Sequence, residues 1–387
     1  MVVAMRRAAV RAALLAALTS ILLAGFGSLS PSVAQPPTTS RTVVIGAGGD
    51  VLFHTRVVAS AAANGGFDHT FSGLRSVIAD EEIAFANLET PLSTEHAPMR
   101  GDPPRLGAPA TAAAAMHRAG FDVMSVANNH AWDQRVEGMV DTLAALRAAD
   151  IAPVGVAATD EEAPGPVLVE RNGVRVAFVA FTVILQGHPG TRRPAVVVSM
   201  WDERRARRVL AQAREQADVV VASMHWGIGY RHDDRSEQRS RAAFLVRHGA
   251  DVVLGHGPHV LQRVERVSSP RGQALVVYSL GNLVSNQAYL YRLGRRERGV
   301  AVPLREPATR DGAWLRVALE LEGDEVRLSG VEAVPLWTHN NYWDEERRRA
   351  PGPDIRVLPH GSVSDAALVA ERRAAIQQVL GTAVNLL

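Results

Sequence analysis

Five short apolar runs along this 387-residue chain stop abruptly at acidic, amide or imidazole side chains. Each run has the length and composition of one buried strand, and segments with helical spacing separate most of them. This alternation predicts an α/β protein with helices packed outside the sheet. Because ligands bind beyond the carboxyl ends of strands in such sheets, the polar groups predict one shared site. They are Asp50, Asn87 with Glu89, Asn129 with His130, His225, and His256 with His259.

The third run, Phe121–Ala127, is followed by Asn128, Asn129 and His130. An amide oxygen is a neutral metal ligand, and an imidazole is a ligand or a proton carrier near neutral pH. The alternative interpretation is a turn, since Asn adopts left-handed backbone and often closes a strand. The same pattern at the other strand ends favours a shared site over a set of unrelated turns.

Carboxylate, amide and imidazole groups together suit divalent Mn, Fe or Zn ions. The chain contains no Cys, so neither a thiolate zinc site nor a disulfide framework is available. Two cations held a few ångströms apart need a bridging carboxylate, for which Asp50 and Glu89 are the candidates. His130 is a candidate proton donor to a leaving group. Asp133 either orients that imidazole or caps the helix that follows.

The first 34 residues have the pattern of a secretory signal peptide. A positive start, Arg6 to Arg11, precedes the apolar run Ala12–Gly25, which is short for a membrane span. Ser32–Ala34 then resembles a small-residue cleavage site. Removal of this segment would change the formal net charge from +2 to −1, because three Arg and no acid are lost. An exported protein, periplasmic or extracellular, is therefore predicted; the alternative is tethering by an uncleaved N-terminal anchor.

Composition and turn residues predict the remaining organisation. A Pro/Thr/Ser-rich linker, 35–41, leads into one large domain, 42–345, and a C-terminal tail with a helix, 346–387. Asn172 with Gly173 predicts a hairpin, and the acidic turn at 322–324 predicts a second pair of antiparallel strands. The sheet should therefore be mixed.

Residues close to the strand ends are accessory candidates. Trp226 either lines the cleft and excludes water or packs in the core. Tyr230, His232 and Asp233 are predicted to rim the site. The accessory set is His54, Asn87, Asn128, Trp226 and Asn282. A separate basic stretch either holds a polyanion or forms a solvated loop, and its members are Arg292, Arg295, Arg296 and Arg298.

Six motifs, in order between residues 42 and 287, resemble those of the CapA family, the bacterial proteins of capsule or poly-γ-glutamate synthesis. They are Gly49-Asp50-Val51-Leu52, Ala86-Asn87-Leu88-Glu89, Ala127-Asn128-Asn129-His130, His225-Trp226-Gly227, Gly255-His256-Gly257-Pro258-His259 and Ser279-Leu280-Gly281-Asn282. That family is similar to calcineurin-like metallophosphoesterases. The resemblance implies a four-layer αββα sandwich with mixed sheets and two metal ions. It implies His130 as proton donor and metal positions at Asp50, Glu89, Asn129, His225, His256 and His259.

The chain departs from the phosphoesterase pattern at four places. Leu52 stands where the first motif, Asp-x-His, carries its His, and His54 lies two residues further on as a candidate substitute. The second motif offers Glu89 in place of Asp. Gly257-Pro258 separates the two histidines of the last motif, and Gly229 stands where many CapA relatives have an acid. These departures favour a weak or missing second metal.

Three functions follow from this pattern. The first is an exported metal-dependent hydrolase of the phosphoesterase type, acting on an anionic envelope polymer or its phosphorylated precursor. The second is a non-catalytic assembly or export factor that binds polymer, works with membrane partners of capsule synthesis and keeps a degenerate metal site. The third is hydrolysis of a peptide or isopeptide bond. Nucleic acid is not an expected partner, because 42 basic and 40 acidic residues nearly balance.

Overall fold

The computed structural model describes residues 40–93, 104–158, 164–187, 196–295, 298–347 and 349–387. The strands of these residues are β1 (Arg41–Val51), β2 (Ile83–Leu88), β3 (Val123–Ser125), β4 (Ala152–Val154), β5 (Val156–Ala158), β6 (Val167–Arg171), β7 (Val174–Thr182), β8 (Val196–Val198), β9 (Val219–His225), β10 (Val252–His256), β11 (Val264–Ser269), β12 (Gly272–Val277), β13 (Asn282–Val284), β14 (Asp311–Glu322), β15 (Glu325–Asn340), β16 (Ile355–Pro359) and β17 (Asn385–Leu386).

The helices of the same residues lie between and after these strands. They are α1 (Thr55–Ala63), α2 (Arg75–Ile78), α3 (Thr111–Ala119), α4 (Arg135–Ala148), α5 (Glu203–Gln216), α6 (Ser236–Arg247), α7 (Val302–Arg305), α8 (Tyr342–Glu346) and α9 (Ala366–Leu380). Within the described ranges, none of the helices combines the length and hydropathy needed to cross a bilayer.

The main sheet runs β4-β3-β2-β1-β14-β15 and continues through β12-β10-β9-β7-β6. Its first half pairs β1 to β4 in parallel and adds the antiparallel hairpin β14–β15. Its second half pairs β7, β9, β10 and β12 in parallel, with β6 and β11 antiparallel at its margins. The halves join where Gly272 faces Val326. The prediction of a mixed sheet is confirmed.

The two halves pack face to face with helices outside. Phe85 of β2 stacks on Phe178 of β7, with ring centroids 5.7 Å apart, between the halves. On the outer face of the second half, Val209 and Leu210 of α5 pack with residues of β7 and β9. Helices α3 and α4 bury apolar residues against the first half. The predicted layered sandwich of helices around mixed sheets is therefore confirmed.

Several element boundaries differ from the sequence expectation. The Arg-, Gly- and Pro-rich composition of residues 291–311 predicts a loop, but this segment contains α7 and a 3₁₀ turn, Pro307–Thr309. Ser is a common N-cap residue, which predicts that Ser236 caps the following helix, but Ser236 is the first residue of α6 and Arg235 is the N-cap. The Gln238 side chain accepts the backbone N–H of Arg235 at 3.0 Å. The signal peptide and most of the linker lie outside the described residues, and both remain predictions.

The residues after 345 extend the same sheet. Strands β16 and β17 both pair with β15. The predicted terminal helix is confirmed as α9, and its N-cap Asp365 accepts the backbone N–H of Leu368 at 3.0 Å. Arg372 of α9 binds the buried carboxylate of Asp311, the first residue of β14. These contacts hold the C-terminal segment against the hairpin β14–β15.

Candidate metal centre

Four strands deliver their C-terminal ends to one place in the sandwich. Parallel pairing sets Asp50 of β1 opposite Asn87 of β2, and His225 of β9 opposite His256 of β10. The packing of the two sheet halves then brings both pairs together. One ligand atom each from Asp50, Glu89 and His225 lies within 4.8 Å of the others, and all three side chains are buried.

Asp50 has a hydrogen-bond or ion-pair contact on each carboxylate oxygen. Its Oδ1 accepts a hydrogen bond of 2.9 Å from Asn87 Nδ2, and its Oδ2 accepts one of 3.2 Å from the backbone N–H of Gly257. The Nδ1 atoms of His259 and His256 lie 3.2 and 3.3 Å from Oδ2 and Oδ1. Burial alone would raise the pKa of Asp50, but the contacts with His256 and His259 hold it well below its usual range. Asp50 is therefore a buried anion.

Glu89 is fully buried, and neither of its carboxylate oxygens has a hydrogen-bond partner among the described residues. The Nε2 atoms of His225, His130 and His259 lie 3.7, 3.9 and 3.9 Å from Oε1. Burial, followed by the charge of Asp50, raises the pKa of Glu89 well above its usual value. A buried carboxyl without partners is costly, and a cation at this position would offset that cost.

Other buried polar atoms around Glu89 are also unpaired within the described ranges. They include Oδ1 of Asn129 and both ring nitrogens of His256, whose Nδ1 is close to Asp50 but not aligned for a hydrogen bond. Burial lowers the pKa of His225 to about 3, which keeps this imidazole neutral. Unpaired buried atoms are uncommon in native proteins. Because these are carboxylate, amide and imidazole groups, the residues fit a divalent metal ion.

His130 and Asp133 form a buried pair beside Glu89. The two atoms His130 Nδ1 and Asp133 Oδ2 are 2.6 Å apart, and the same oxygen accepts the backbone N–H of Leu106 at 2.6 Å. The alternative role for Asp133 does not hold, since Gln134 is the N-cap of α4 and no side chain caps that helix. Sequence reasoning missed Leu106, which lies in a Pro/Gly-rich stretch without a local signal.

Three asparagines support the residues of the centre. Asn128 donates from Nδ2 to the backbone oxygen of Leu88 at 2.8 Å and to Asn87 Oδ1 at 3.3 Å. Asn87 is thereby turned with its Nδ2 toward Asp50. Asn282 is fully buried, and its Oδ1 accepts a hydrogen bond of 3.1 Å from His259 Nδ1.

A cleft of about 250 Å³ opens next to these side chains. Its wall contains Asn129, His130, His225 and His259 of the predicted set. Apolar and polar groups complete it, namely Leu52, His54, Pro104, Leu106, Ile184, Gln186, Trp226, Tyr230 and Gln287, together with three glycines.

Two of the accessory candidates, Trp226 and His54, line the cleft but make different contacts. Trp226 is buried, and its Nε1 donates to the backbone oxygen of Tyr278 at 2.8 Å, so its main role is packing at the base of the cleft. His54 is not in the carboxylate–imidazole group that converges on Glu89. Its Nδ1 instead accepts the backbone N–H of Asn286 at 3.2 Å. Burial, and then the nearby histidines, lower the pKa of His54 to about 4.

The basic stretch does not contribute to this cleft. Its described members do not line the wall, and the guanidinium of Arg292 packs over Trp343, 4.2 Å from the ring centroid. Arg296 lies outside the described residues. Of the three residues predicted to rim the site, Tyr230 lines the cleft. His232 instead bonds the backbone oxygen of Leu261, and Asp233 pairs with Arg231.

Solved structures with a related arrangement include two hydrolases. The calcineurin-like phosphoesterase YfkN from Bacillus subtilis is 12% identical, covers 88% of this chain and 97% of its own, and has a TM-score of 0.44. The 5'-nucleotidase precursor from Thermus thermophilus is 14% identical, covers 87% and 59%, and has a TM-score of 0.46. At these scores the fold assignment rests on the strand order described above.

Sequence relatives share a narrower description. The capsule biosynthesis protein CapA of Bacillus anthracis is 30% identical over 252 residues, which are 61% of this chain and 60% of that protein. The PGA biosynthesis protein CapA of Bacillus subtilis (strain 168) is 28% identical over 243 residues, 62% and 63% of the two chains. This chain thus spans about three fifths of the length of the curated relatives it matches.

The family model described as bacterial capsule synthesis protein PGA_cap matches residues 44–287, well over half of the chain. The matched segment runs from β1 to Gln287 and contains every residue of the buried carboxylate–imidazole group. The chain therefore belongs to the bacterial capsule synthesis protein PGA_cap family.

Proposed function

We propose that this protein is an exported, metal-dependent hydrolase of the phosphoesterase type that acts in the synthesis of an anionic envelope polymer such as poly-γ-glutamate. The observation that carries the proposal is Glu89, a buried carboxyl whose two oxygens have no hydrogen-bond partner among the described residues and which lies next to three histidines of the cleft wall. It lies close to the imidazoles of His225 and His259 and beside the His130–Asp133 pair. A core built only for stability would not retain this set.

The residues that would hold divalent ions are Asp50, Glu89, Asn129, His225, His256 and His259. When bound, such ions polarise an ester and lower the pKa of a bound water. The protein itself supplies the geometry. Asn87 and the backbone N–H of Gly257 fix the Asp50 carboxylate, and the apolar wall at Leu52 and Trp226 limits the water around the reacting group.

His130 is the proposed proton donor. Asp133 accepts from Nδ1 of the imidazole, which leaves Nε2 directed into the centre, 3.9 Å from Glu89. When water attacks the ester, the bond to the leaving oxygen breaks and the Nε2 proton passes to that oxygen. Asp133 stabilises the imidazolium that must form before this transfer.

Metal content and turnover of the same preparation test the proposal. Purified protein would be treated with chelator, reloaded with Mn²⁺, analysed for bound metal and assayed on a generic phosphodiester. We expect bound metal and metal-dependent turnover. His130→Ala should lower turnover by about 10²–10⁴-fold with unchanged metal content. His117→Ala, on the exposed face of α3, is the matched control. Equal turnover in His130→Ala would remove the proton-donor role.

A second function is favoured by Leu52, which lines the cleft where the phosphoesterase motif carries a histidine ligand. In that case the protein is a non-catalytic factor that binds polymer and assists its assembly with membrane partners. Absence of metal and turnover, combined with retained binding of poly-γ-glutamate, would support this function. Release of short glutamate oligomers from the polymer would instead support hydrolysis of its isopeptide bonds.

Export is proposed from the first 34 residues. The positive start, apolar run and small-residue site together are typical of a cleaved leader. Fractionation of cells that produce the tagged protein should place it outside the cytoplasm, and N-terminal sequencing should begin at Gln35. A full-length protein in the membrane fraction would support the uncleaved anchor, and cytoplasmic protein would contradict export.

A further inference from the structure

The imidazole ring of His54 lies on the cleft wall, and its hydrogen bond fixes which ring nitrogen carries the proton. Its Nδ1 faces the backbone N–H of Asn286 at 3.2 Å. A backbone N–H can only donate, so Nδ1 must be the acceptor. A neutral imidazole with an unprotonated Nδ1 carries its proton on Nε2. Nε2 is therefore an N–H donor.

This tautomer excludes the role that the sequence suggested for His54. A metal ligand must present a lone pair, and Nε2 could do so only if its proton moved to Nδ1. A proton on Nδ1 would point at the N–H of Asn286, and two hydrogen-bond donors cannot bond to each other. His54 therefore does not replace the ligand that Leu52 lacks.

The donor is fixed and free to bind a ligand. His54 is the N-cap of helix α1, and its backbone oxygen accepts the N–H groups of Val57 and Val58 at 2.8 and 3.1 Å. Asn286, which binds its Nδ1, is itself held through Oδ1 by Asn340 Nδ2 at 3.0 Å. No described residue accepts a hydrogen bond from His54 Nε2, and the ring lines the cleft.

We propose that His54 is a substrate-binding residue: a neutral Nε2–H donor, on the cleft wall beside the metal centre, for an anionic oxygen of the substrate. The proposal rests on the function proposed above, because it places that substrate in the same cleft. Carboxylates of a γ-linked glutamate chain and phosphoryl oxygens of a precursor share this chemistry. Their separate binding measurements distinguish the two sources.

Two substitutions separate the ring nitrogens. His54→Asn keeps an oxygen near the position of Nδ1, where it can accept the Asn286 N–H, but removes the donor into the cleft. His54→Gln places an amide N–H near the position of Nε2. His248→Asn is the matched control, since His248 is a partly buried histidine that bonds a backbone oxygen outside the cleft.

The experiment measures binding of inorganic phosphate and of a γ-linked glutamate oligomer to Mn²⁺-loaded full-length protein by calorimetry, together with metal content. We expect His54→Asn to weaken binding of at least one probe by about tenfold or more with unchanged metal content. His54→Gln should retain more of the affinity.

Two results would overturn the inference. Loss of metal from His54→Asn would assign His54 to the metal. Unchanged affinity in His54→Asn, with normal binding by the unsubstituted protein, would remove the donor role and leave the proposed function standing. If the unsubstituted protein binds neither probe and turns over no ester, the proposed function fails and this inference fails with it.

Discussion

Asn282 and Asp50 both place an acceptor oxygen beside Nδ1 of His259, at 3.1 and 3.2 Å. The Nδ2 of Asn282 donates to Gln287 Oε1 and to the backbone oxygen of Thr309, each at 2.8 Å, and lies 3.2 Å from Ser285 Oγ. The amide therefore presents Oδ1 to His259, and that oxygen accepts from Nδ1. The lone pair of His259 is then on Nε2, the nitrogen on the side of Glu89.

Replacement of Asn282 tests this orientation. We expect Asn282→Ala to weaken Mn²⁺ binding by about 10–100-fold, because the His259 ring loses a hydrogen-bond acceptor that orients it and helps to keep its proton on Nδ1. Calorimetric titration measures the affinity, and circular dichroism of the metal-free variant checks its fold. Asn340→Ala is the control, since Asn340 supports Asn286 and not a proposed ligand. An unchanged affinity in Asn282→Ala would contradict the role.

His360 should make the protein sensitive to acid. Both of its ring nitrogens are buried and have no partner within the described residues. Burial, and then Arg373 and Arg372, lower its pKa to about 4. An unfolded chain, with a pKa near 6.5, binds the proton more readily. Keeping His360 unprotonated in the folded chain therefore costs no free energy of unfolding above pH 6.5, and this cost grows as the pH falls from 6.5 to 4.

We expect His360→Phe to reduce the loss of unfolding free energy between pH 7 and pH 4 by about 2–3 kcal/mol. Urea unfolding in chelator at the two pH values measures this difference. His117→Asn, an exposed substitution on α3, should leave the pH dependence unchanged. Parallel losses in His360→Phe and the unsubstituted protein would show that His360 is not the sensitive group.

At the scale of elements, the end of β1 is built by a close backbone approach. The backbone N–H of Asp50 donates to the oxygen of Gly281 at 2.9 Å. A Cβ at Gly49 would lie 2.2 Å from that oxygen and 2.7 Å from the oxygen of Leu280. Only glycine allows the segment before β13 to approach this closely, so Gly49 helps to place the Asp50 carboxylate.

Gly49→Ala should lower the free energy of unfolding by about 1–3 kcal/mol, because backbone cannot move aside as a flexible side chain can. It should also weaken metal binding, since the clash displaces Asp50. Chemical unfolding and calorimetry measure the two effects. Gly361→Ala is the control, as no atom lies within 4 Å of its added Cβ. Normal stability and metal affinity in Gly49→Ala would refute the packing constraint.

The local sequence pattern predicted the individual strands and helices better than it predicted which strands pair with each other. The two-residue turn at Asn172 and Gly173 has positive φ at both positions, 52° and 72°, as a tight hairpin requires, and β6 pairs with β7 across it. The apolar segment β9 is buried along its whole length, as its composition indicates. That β1 lies between β2 and β14 has no local signal, because the pairing joins residues far apart in the chain.

At the scale of the whole molecule, Glu89 links the free energy of unfolding to the binding of a metal ion. A cation binds the folded chain and not the unfolded one, so it raises the melting temperature. A metal concentration about 100 times the dissociation constant contributes about 2.7 kcal/mol, which corresponds to roughly 4 °C for a domain of this size.

Glu89→Gln should separate the two contributions. In chelator the variant should melt higher than the unsubstituted protein, because a buried carboxyl with a raised pKa destabilises the fold at neutral pH. Addition of Mn²⁺ should raise the melting temperature of the variant by less than that of the unsubstituted protein. Differential scanning calorimetry measures both shifts, and Glu137→Gln, exposed on α4, is the control. Equal gains from Mn²⁺ in Glu89→Gln and the unsubstituted protein would exclude Glu89 from the centre.

By itself, the sequence determined the alternation of strands and helices and the residue types at the strand ends, because periodicity and side-chain chemistry are local properties. Tertiary structure decided that Asp50, Glu89 and His225 meet, that Leu106 binds Asp133, and that Asn286 fixes the tautomer of His54. These contacts join residues that lie from 27 positions apart, as Leu106 and Asp133 do, to 232 positions apart, as His54 and Asn286 do. Local sequence cannot encode them, because only the folded chain brings these side chains together.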